Sequence, residues 1–370
     1  MFSLSIKPQW QLQSRDGRQL LPRLVELLAA IHESGALALA CRKTGLSYRY
    51  AWGLLRDGDA LFGTPLVVMA RGRGATLSPL AEKLVWADRR ISARLTPLLD
   101  SLASELEVEL QRALSATQPI LRMQASHGFA VETLREWFSR AQIPLDLKYC
   151  TSFEAVAALS QSTCDVAGFH VAIGDYERAT LQAFARWIRP KSHRLLHLAT
   201  RRQGIMLAAG NPKQVGGLAD LTRSDLRFVN RQPGSATRYL LDLMLEHHDI
   251  DPQQIRGHDN GEFTHAAVAA YVASDMADVG FGVETAAKRF GLDFLPIVGE
   301  RYFFLCEARF LDSPLMLRVI ETLHSDSFRL AVNSLPGYDA SDSGRIQTVD
   351  EAFPSSASLF NVGRRERGSP

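Results

Sequence analysis

The chain has 370 residues, 46% of them hydrophobic and 22% charged, and a net charge of +2. That composition is ordinary for a globular protein of two or three domains with a sizeable core, and it excludes a polycation. No uninterrupted apolar run approaches the ~18 residues a membrane span needs, and the opening "MFSLSIKPQWQLQSRDGRQ" lacks the apolar core of a signal peptide, so a cytoplasmic protein with no membrane partner is expected.

The charge is unevenly spread. Residues 1–75 carry ten Lys/Arg against five Asp/Glu, whereas residues 119–345 carry 24 against 26. A basic head on a near-neutral body predicts that only the head meets a polyanion. The cysteines Cys41, Cys150, Cys164 and Cys306 form no C-x-x-C pair and read as buried or half-buried thiols in a reducing compartment.

Residues 1–77 read as a first domain. "LSIKPQWQLQ" alternates like a short strand. "LLPRLVELLAAIHESG" is apolar at helical spacing with a stop at Gly35; "ALALACRKTG" is a short second helix; "LSYRYAWGLLRDG" is a third, with Ser47 as N-cap and Gly58 closing it. Helix, short helix, turn and helix is the outline of a helix-turn-helix. "PLVVMARGRGATLSP" then reads as strand, Arg-Gly-Arg-Gly tip and strand, a wing beside which the N-terminal strand could pair. Residues 78–116 read as a linker and dimerisation helix. Leu84, Ile91, Leu95, Leu98 and Leu102 form a coiled-coil-like stripe. Thr96 and Pro97 look like an N-cap and first helical position, which predicts a kink or two stacked helices.

From residue 117 to 345 strands and helices alternate. "PILRMQAS", "PLDLKYC" and "CDVAGFHV" read as strands, separated by the helices "HGFAVETLREWFSRA" and "SFEAVAALSQS". "HRLLHLATRRQGIMLAAG" reads as a long double strand, and "RFVN", "ADVGFG" and "LDFLPIVGERYFFLCEA" as further strands. "THAAVAAYVAS" and "PLMLRVIETLHS" read as helices. This alternation predicts a parallel α/β sheet. Residues 346–370 are polar and Ser-rich and read as a disordered tail.

The head, in "LLAAIHESGALALACRKTGLSYRYAWGLL" and "RGRGATLSPLAEKL", resembles the winged helix-turn-helix of molybdate-responsive (ModE-type) regulators and their LysR-like relatives. "ASHGFAVETL", "CDVAGFH", "FVNRQPGSATRYLLD", "GEFTHAAVAAYVASDMADVGFG" and "LPGYDASDSGR" resemble the periplasmic-binding-protein-like sensor domain often fused to such heads. The resemblance implies a two-lobed type 2 binding fold. Lobe I would be 119–200 and 303–345, lobe II 201–302, with crossovers near 194–209 and 294–306.

The stretch "NRQPGSATRYLLDLML" resembles sites for phosphate, molybdate or tungstate, although it has Ser-Ala-Thr where those often have Ser-Gly-Thr. Helix N-termini leave unpaired N–H groups and partial positive charge, so they hold anions. Ser235 and Thr237 add hydroxyl donors, Ala236 lets the backbone approach, and Arg231 and Arg238 supply guanidinium groups suited to oxyanions. Ser126 and His127 lie where the first strand meets its helix, a usual ligand position in open α/β sheets. His170 ends the third strand, and Thr264 and His265 open a helix. In the head, Ser47, Tyr48, Arg49 and Tyr50 open the third helix and would contact DNA, with Arg49 on a base edge. Trp52 and Leu55 would pack inward. Arg71 and Arg73 at the wing tip would touch the DNA backbone or minor groove.

Taken together, these residues predict a regulator that binds a double-stranded DNA operator as a homodimer or tetramer and senses a small anion. The resemblance points to molybdate or tungstate, or to a phosphate-bearing molybdenum cofactor, as effector, with no cofactor required. An unrelated organic anion is the alternative ligand. An enzyme of cofactor handling is the alternative class, although no nucleophile–base pair, metal-ligand cluster or Walker-type loop is evident.

Overall fold

The computed structural model describes residues 4–13, 17, 19, 20, 22–70, 74–114 and 119–360. It divides into two compact units, residues 7–95 and residues 96 onward, the latter joined by the first six residues.

The first unit begins with the two-residue strands β1 (Leu12–Gln13) and β2 (Gln19–Leu20), followed by α1 (Pro22–Ser34), α2 (Leu37–Thr44) and α3 (Tyr48–Phe62). The antiparallel hairpin β3 (Val67–Ala70) and β4 (Gly74–Leu77) follows the three helices. Leu24, Leu27, Leu28 and Ile31 of α1 meet Leu54 and Leu55 of α3 and Leu66 in one buried cluster, the expected result of apolar residues at helical spacing. Two sequence expectations fail here. β1 pairs with β2 and not with the wing. Gly58 does not close α3, which continues to Phe62 and is capped by Gly63 at φ 67°. A Cβ at Gly58 would lie 2.5 Å from Leu24 and 2.7 Å from Leu66, so this glycine serves close packing of α3 against the core rather than termination. Arg71 and Arg73 lie outside the described residues.

α4 (Pro79–Leu114) is one 36-residue helix with Pro97 inside it; it is not split into two stacked helices.

The second unit is built on a long sheet. Its elements are β5 (Leu121–Ala125), α5 (Phe129–Arg140), β6 (Leu145–Tyr149), α6 (Ser152–Ser160), β7 (Val166–Ala172), α7 (Glu177–Gln182), β8 (His193–Leu207), β9 (Phe228–Arg231), α8 (Ala236–His247), β10 (Gly261–Glu262), α9 (His265–Ala273), β11 (Val279–Val283), α10 (Glu284–Arg289), β12 (Asp293–Glu307), α11 (Pro314–His324), α12 (Asp326–Asn333), β13 (Tyr338–Asp339), β14 (Ile346–Gln347) and α13 (Val349–Ala352). The strand order is β10-β9-β11-β8-β12-β7-β5-β6. β8 and β12, each of 15 residues, pair antiparallel along nearly their whole length and run through both lobes. Parallel strands flank them on each side, β5, β6 and β7 in the first lobe and β9, β10 and β11 in the second. Gly204 of β8 permits the tight pairing, since a Cβ there would lie 2.0 Å from the Leu295 carbonyl oxygen.

Apolar strands buried on both faces explain the layers. In the first lobe α5, α11 and α12 cover one face through Phe138, Met316 and Phe328. α6, α7 and the C-terminal segment cover the other through Val156, Leu181 and Phe353. In the second lobe α8 packs on one face, and α9 and α10 on the other.

The predicted disordered tail is corrected over 346–360. β14 pairs with β8, and Val349 and Phe353 are fully buried against Phe303 and Phe169, so this polar-looking segment carries apolar anchors that belong to the core. Residues 361–370 lie outside the described part. Phe353→Ala is therefore expected to cost ~3–5 kcal/mol of stability, as for a fully buried aromatic, whereas a disordered tail would give no change in a urea melt.

Candidate functional site

The strands of the two lobes end facing one another, and the helices that follow start there. α5 begins after Gly128, α6 after Thr151, α8 after Ser235 and α9 after Thr264. The resulting cleft is lined by Ser126, His127, Cys150, Thr151, Ser152, His170, Arg201, Arg231, Gln232, Ser235, Ala236, Thr237, Phe263 and His265. Its open space is ≈ 360 Å³, part of it continuous with solvent. Partial positive charge from the helix starts converges on the space.

Two guanidinium groups are buried here. Arg201 in β8 bonds Glu300 of β12 through Nε (3.0 Å) and Nη2 (2.9 Å). The same carboxylate accepts from Gln203 Nε2 at 2.6 Å, and Gln203 also donates to the Thr237 hydroxyl at 3.1 Å. Arg231, at the end of β9, donates instead to main-chain carbonyls: Nε to Glu262 O (3.2 Å) and Nη2 to Phe263 O (2.7 Å). Burial, and then the nearby Arg201, push its pKa down to about 9, so it remains a cation at neutral pH. Arg231 thus holds its charge where charge is costly, with main-chain carbonyls as its hydrogen-bond partners.

The "QPGSAT" turn borders this site. Gly234 takes the positive φ of 81°, which leaves Ala236 as the first residue of α8 with no need of glycine's freedom. Ser235 Oγ accepts from Arg238 N at 3.0 Å, and Thr237 Oγ1 accepts from Gln203. With those lone pairs engaged, both hydroxyls have their hydrogens free to donate into the cleft.

The histidines take different roles. His170 Nδ1 lies 3.4 Å from Ser126 Oγ and 3.3 Å from Ser152 Oγ, while its buried Nε2 has no partner. Burial, then the Arg201 and Arg231 charges, hold its pKa well below the usual imidazole range. His265 is likewise kept neutral by burial and then Arg231; its unpartnered Nδ1 sits where a Cβ on Gly282 would approach to 2.8 Å. His127 lies 2.9 Å from Glu132 and packs edge-on against Tyr149.

The cleft brings together Ser126, His127, His170, Arg231, Ser235, Ala236, Thr237 and His265. Two expected ligand residues are placed elsewhere. Arg238 turns to Asp259 (3.2 Å), Asp242 (3.9 Å) and His258, because one position along a helix rotates the side chain by about 100°. Thr264 is not among the lining residues; it is spent as the cap of α9, accepting from Ala267 N at 2.8 Å. Sequence reasoning missed Arg201, Gln203 and Glu300. Neither strand singles them out: β8 also carries Arg194, His197 and Arg202, and β12 also carries Arg301 and Glu307. In the head, Ser47 caps α3 by accepting from Tyr50 N at 3.2 Å. Tyr48, Arg49 and Tyr50 are exposed. Leu55 is buried, but Trp52 is 44% exposed and does not pack inward, since it shares the outer face with Tyr48 four residues earlier.

A family model for the PBP superfamily domain matches residues 131–324. The chain belongs to the PBP superfamily. YvgK of Bacillus subtilis (strain 168), an uncharacterised protein, is 29% identical over 199 residues, 54% of this chain and 64% of its own length. MopB of Rhodobacter capsulatus, named a molybdenum-pterin-binding protein, is 34% identical over 120 residues, 31% of this chain and 44% of its own. The chain thus spans just under two thirds of YvgK and less than half of MopB. Among solved structures, CbnR, a LysR family transcriptional regulator, aligns with a TM-score of 0.38 and 17% identity over 81% of this chain and 98% of its own, a likeness too loose to carry a shared function.

The Ser152–His170 and Ser126–His170 approaches are long, and no carboxylate orients the other ring nitrogen. Among the described residues no group of three or more His, Cys, Asp or Glu could hold a metal ion.

Four imidazoles in this unit have lowered pKa values, His170, His193, His197 (to about 4) and His265, each chiefly through burial. Below pH ~6.5 the unfolded chain takes up these protons and the folded chain does not. Stability should therefore fall by about 1.4 kcal/mol per pH unit for each histidine still neutral in the fold, from pH ~6.5 downward. Urea melts at pH 7, 6 and 5 measure this, and His197→Asn should flatten the slope.

Proposed function

We propose that this chain is a ligand-responsive transcription regulator, in which the N-terminal unit binds a double-stranded DNA operator and the cleft of the second unit binds a small anionic effector linked to molybdenum or tungsten metabolism. The observation that carries the effector reading is Arg231: a buried guanidinium bonded to carbonyls, beside helix starts and free hydroxyl donors. A compact oxyanion such as molybdate or tungstate supplies the missing negative charge and accepts from these donors. The molybdenum link draws on MopB, whose name states that it binds molybdenum-pterin. The head reading draws on the three helices and hairpin, with Tyr48, Arg49 and Tyr50 exposed at the start of α3. On this reading the protein acts as a sensor and not as an enzyme.

The effector test is a thermal-shift panel of molybdate, tungstate, sulfate and phosphate. A ligand at a hundred times its Kd adds about 2.7 kcal/mol of stability. Molybdate or tungstate should raise Tm, and Arg231→Met should abolish the shift while leaving the ligand-free protein as stable or more stable, because it removes a buried unneutralised charge. A drop in ligand-free stability together with an unchanged shift would make Arg231 structural.

A second copy of the chain would dock on α4. Its leucines Leu95, Leu98, Leu102, Leu106, Leu110 and Leu114 are exposed, three residues apart at the first step and four at each later one, apolar surface that an isolated helix gains nothing by presenting to water. The doubly substituted Leu98→Glu/Leu102→Glu chain should sediment as a monomer where the unsubstituted chain sediments as a dimer or tetramer.

A further inference from the structure

The proposed head leaves open which bases α3 would meet, and a glycine in the middle of that helix bears on the question. Gly53 is a poor helix former in a helix interior, yet nothing in the chain requires it there: an added Cβ would meet no atom within 4 Å. Gly58, five residues on, is the opposite case, pressed against Leu24 and Leu66. Gly53 opens instead onto a shallow outer groove walled by Arg49, Trp52, Arg56 and Asp59. Arg49 and Arg56 are seven residues apart, two turns of helix, so both project from the same side as Gly53. Arg56 is 83% exposed, and its neighbouring carboxylate, Asp57, is 3.9 Å away and itself exposed. Asp59 is committed to the fold, accepting from Leu66 N at 2.7 Å. Between the two arginines along α3 stands Trp52, edge to face with Tyr48 at 6.3 Å, both rings in solvent.

A partner that fits this face offers paired acceptors at two places, an apolar contact between them, and negative charge around the rim. Duplex DNA has all three in its major groove. Guanine presents two acceptors to a guanidinium fork, and thymine presents a methyl group. Seven residues of helix rise ~10.5 Å, against 3.4 Å per base-pair step, so two arginines at this pitch reach bases two to three steps apart.

Resting on the DNA-binding reading of the head, we propose that Gly53 is the point where the backbone of α3 meets the floor of the major groove, with Arg49 and Arg56 on guanines two or three steps apart and Trp52 against a thymine methyl between them. The glycine then has a function: a side chain at 53 would hold the helix off the bases that the arginines must reach.

The full chain is used to select sites from a random duplex library, with a single-stranded library in parallel. The expected half-site carries two guanines at that spacing with a thymine between. Arg49→Ala should relax one guanine and Arg56→Ala the other, each weakening the selected site about ten- to a hundred-fold. Gly53→Ala should leave Tm unchanged or higher and weaken duplex binding at least ten-fold. Unchanged affinity in Gly53→Ala, or an unchanged base profile in Arg56→Ala while Arg49→Ala alters its own, overturns the proposal with the DNA-binding head intact. If the unsubstituted chain enriches no duplex, or prefers single strands, the head reading itself fails and takes this inference with it.

Discussion

The charge on Arg231 is the constraint around which the second unit is arranged. Burying a guanidinium is tolerated only where its hydrogen-bond capacity is met, and here that is done by the Glu262 and Phe263 carbonyls at the start of α9. Arg201, close by, takes the one carboxylate, Glu300, and Gln203 ties that carboxylate to Thr237 on α8. A single chain of polar contacts thus runs from β12 through β8 to the first turn of α8. It fixes where the hydroxyl donors stand and why both long strands must pass through the cleft: Arg201 and Gln203 lie on β8, Glu300 on β12. Burial first, and then repulsion from the two guanidiniums, keeps His170 and His265 neutral.

Much of this was legible in the sequence, because the signals were periodic or chemically specific. The apolar alternation and the Gly and Ser punctuation place β5 to β7, α9 and α11 within a residue or two. The turn and N-cap at Ser235 follow from residue type at a helix start. What escaped were features that depend on a distant neighbour. Gly58 reads as a stop from its own surroundings, and only the approach of Leu24 and Leu66 makes it a packing residue. The segment after residue 345 reads as disorder by composition, but a few apolar side chains, Val349 and Phe353 among them, tie it to strands formed more than forty residues earlier. Arg238 and Thr264 were placed by proximity in sequence to true lining residues, and the rotation of the helix and the demand for an N-cap took them away. Glu300 was invisible as a site residue because its partner, Arg201, is 99 positions away.

The cleft also shows what its two lobes can and cannot hold together unaided. On one flank Tyr239 of α8 packs edge-on to Phe153 of α6 at 5.8 Å. On the other, Arg289 of α10 lies 4.2 Å over the Phe129 ring and 3.7 Å from Glu132, the same carboxylate that His127 engages from the cleft side. An aromatic pair of this kind is worth about 0.5–1.5 kcal/mol, and a partly exposed ion pair about 0–1 kcal/mol. Against them stands the cost of enclosing the uncompensated Arg231. A ligand that supplies the missing charge removes that cost only when the lobes are together, and differential affinity for two arrangements is the condition for any ligand to act as a switch. On the proposed reading the flanking contacts set the geometry of closure, and the electrostatic debt at Arg231 makes closure depend on the anion.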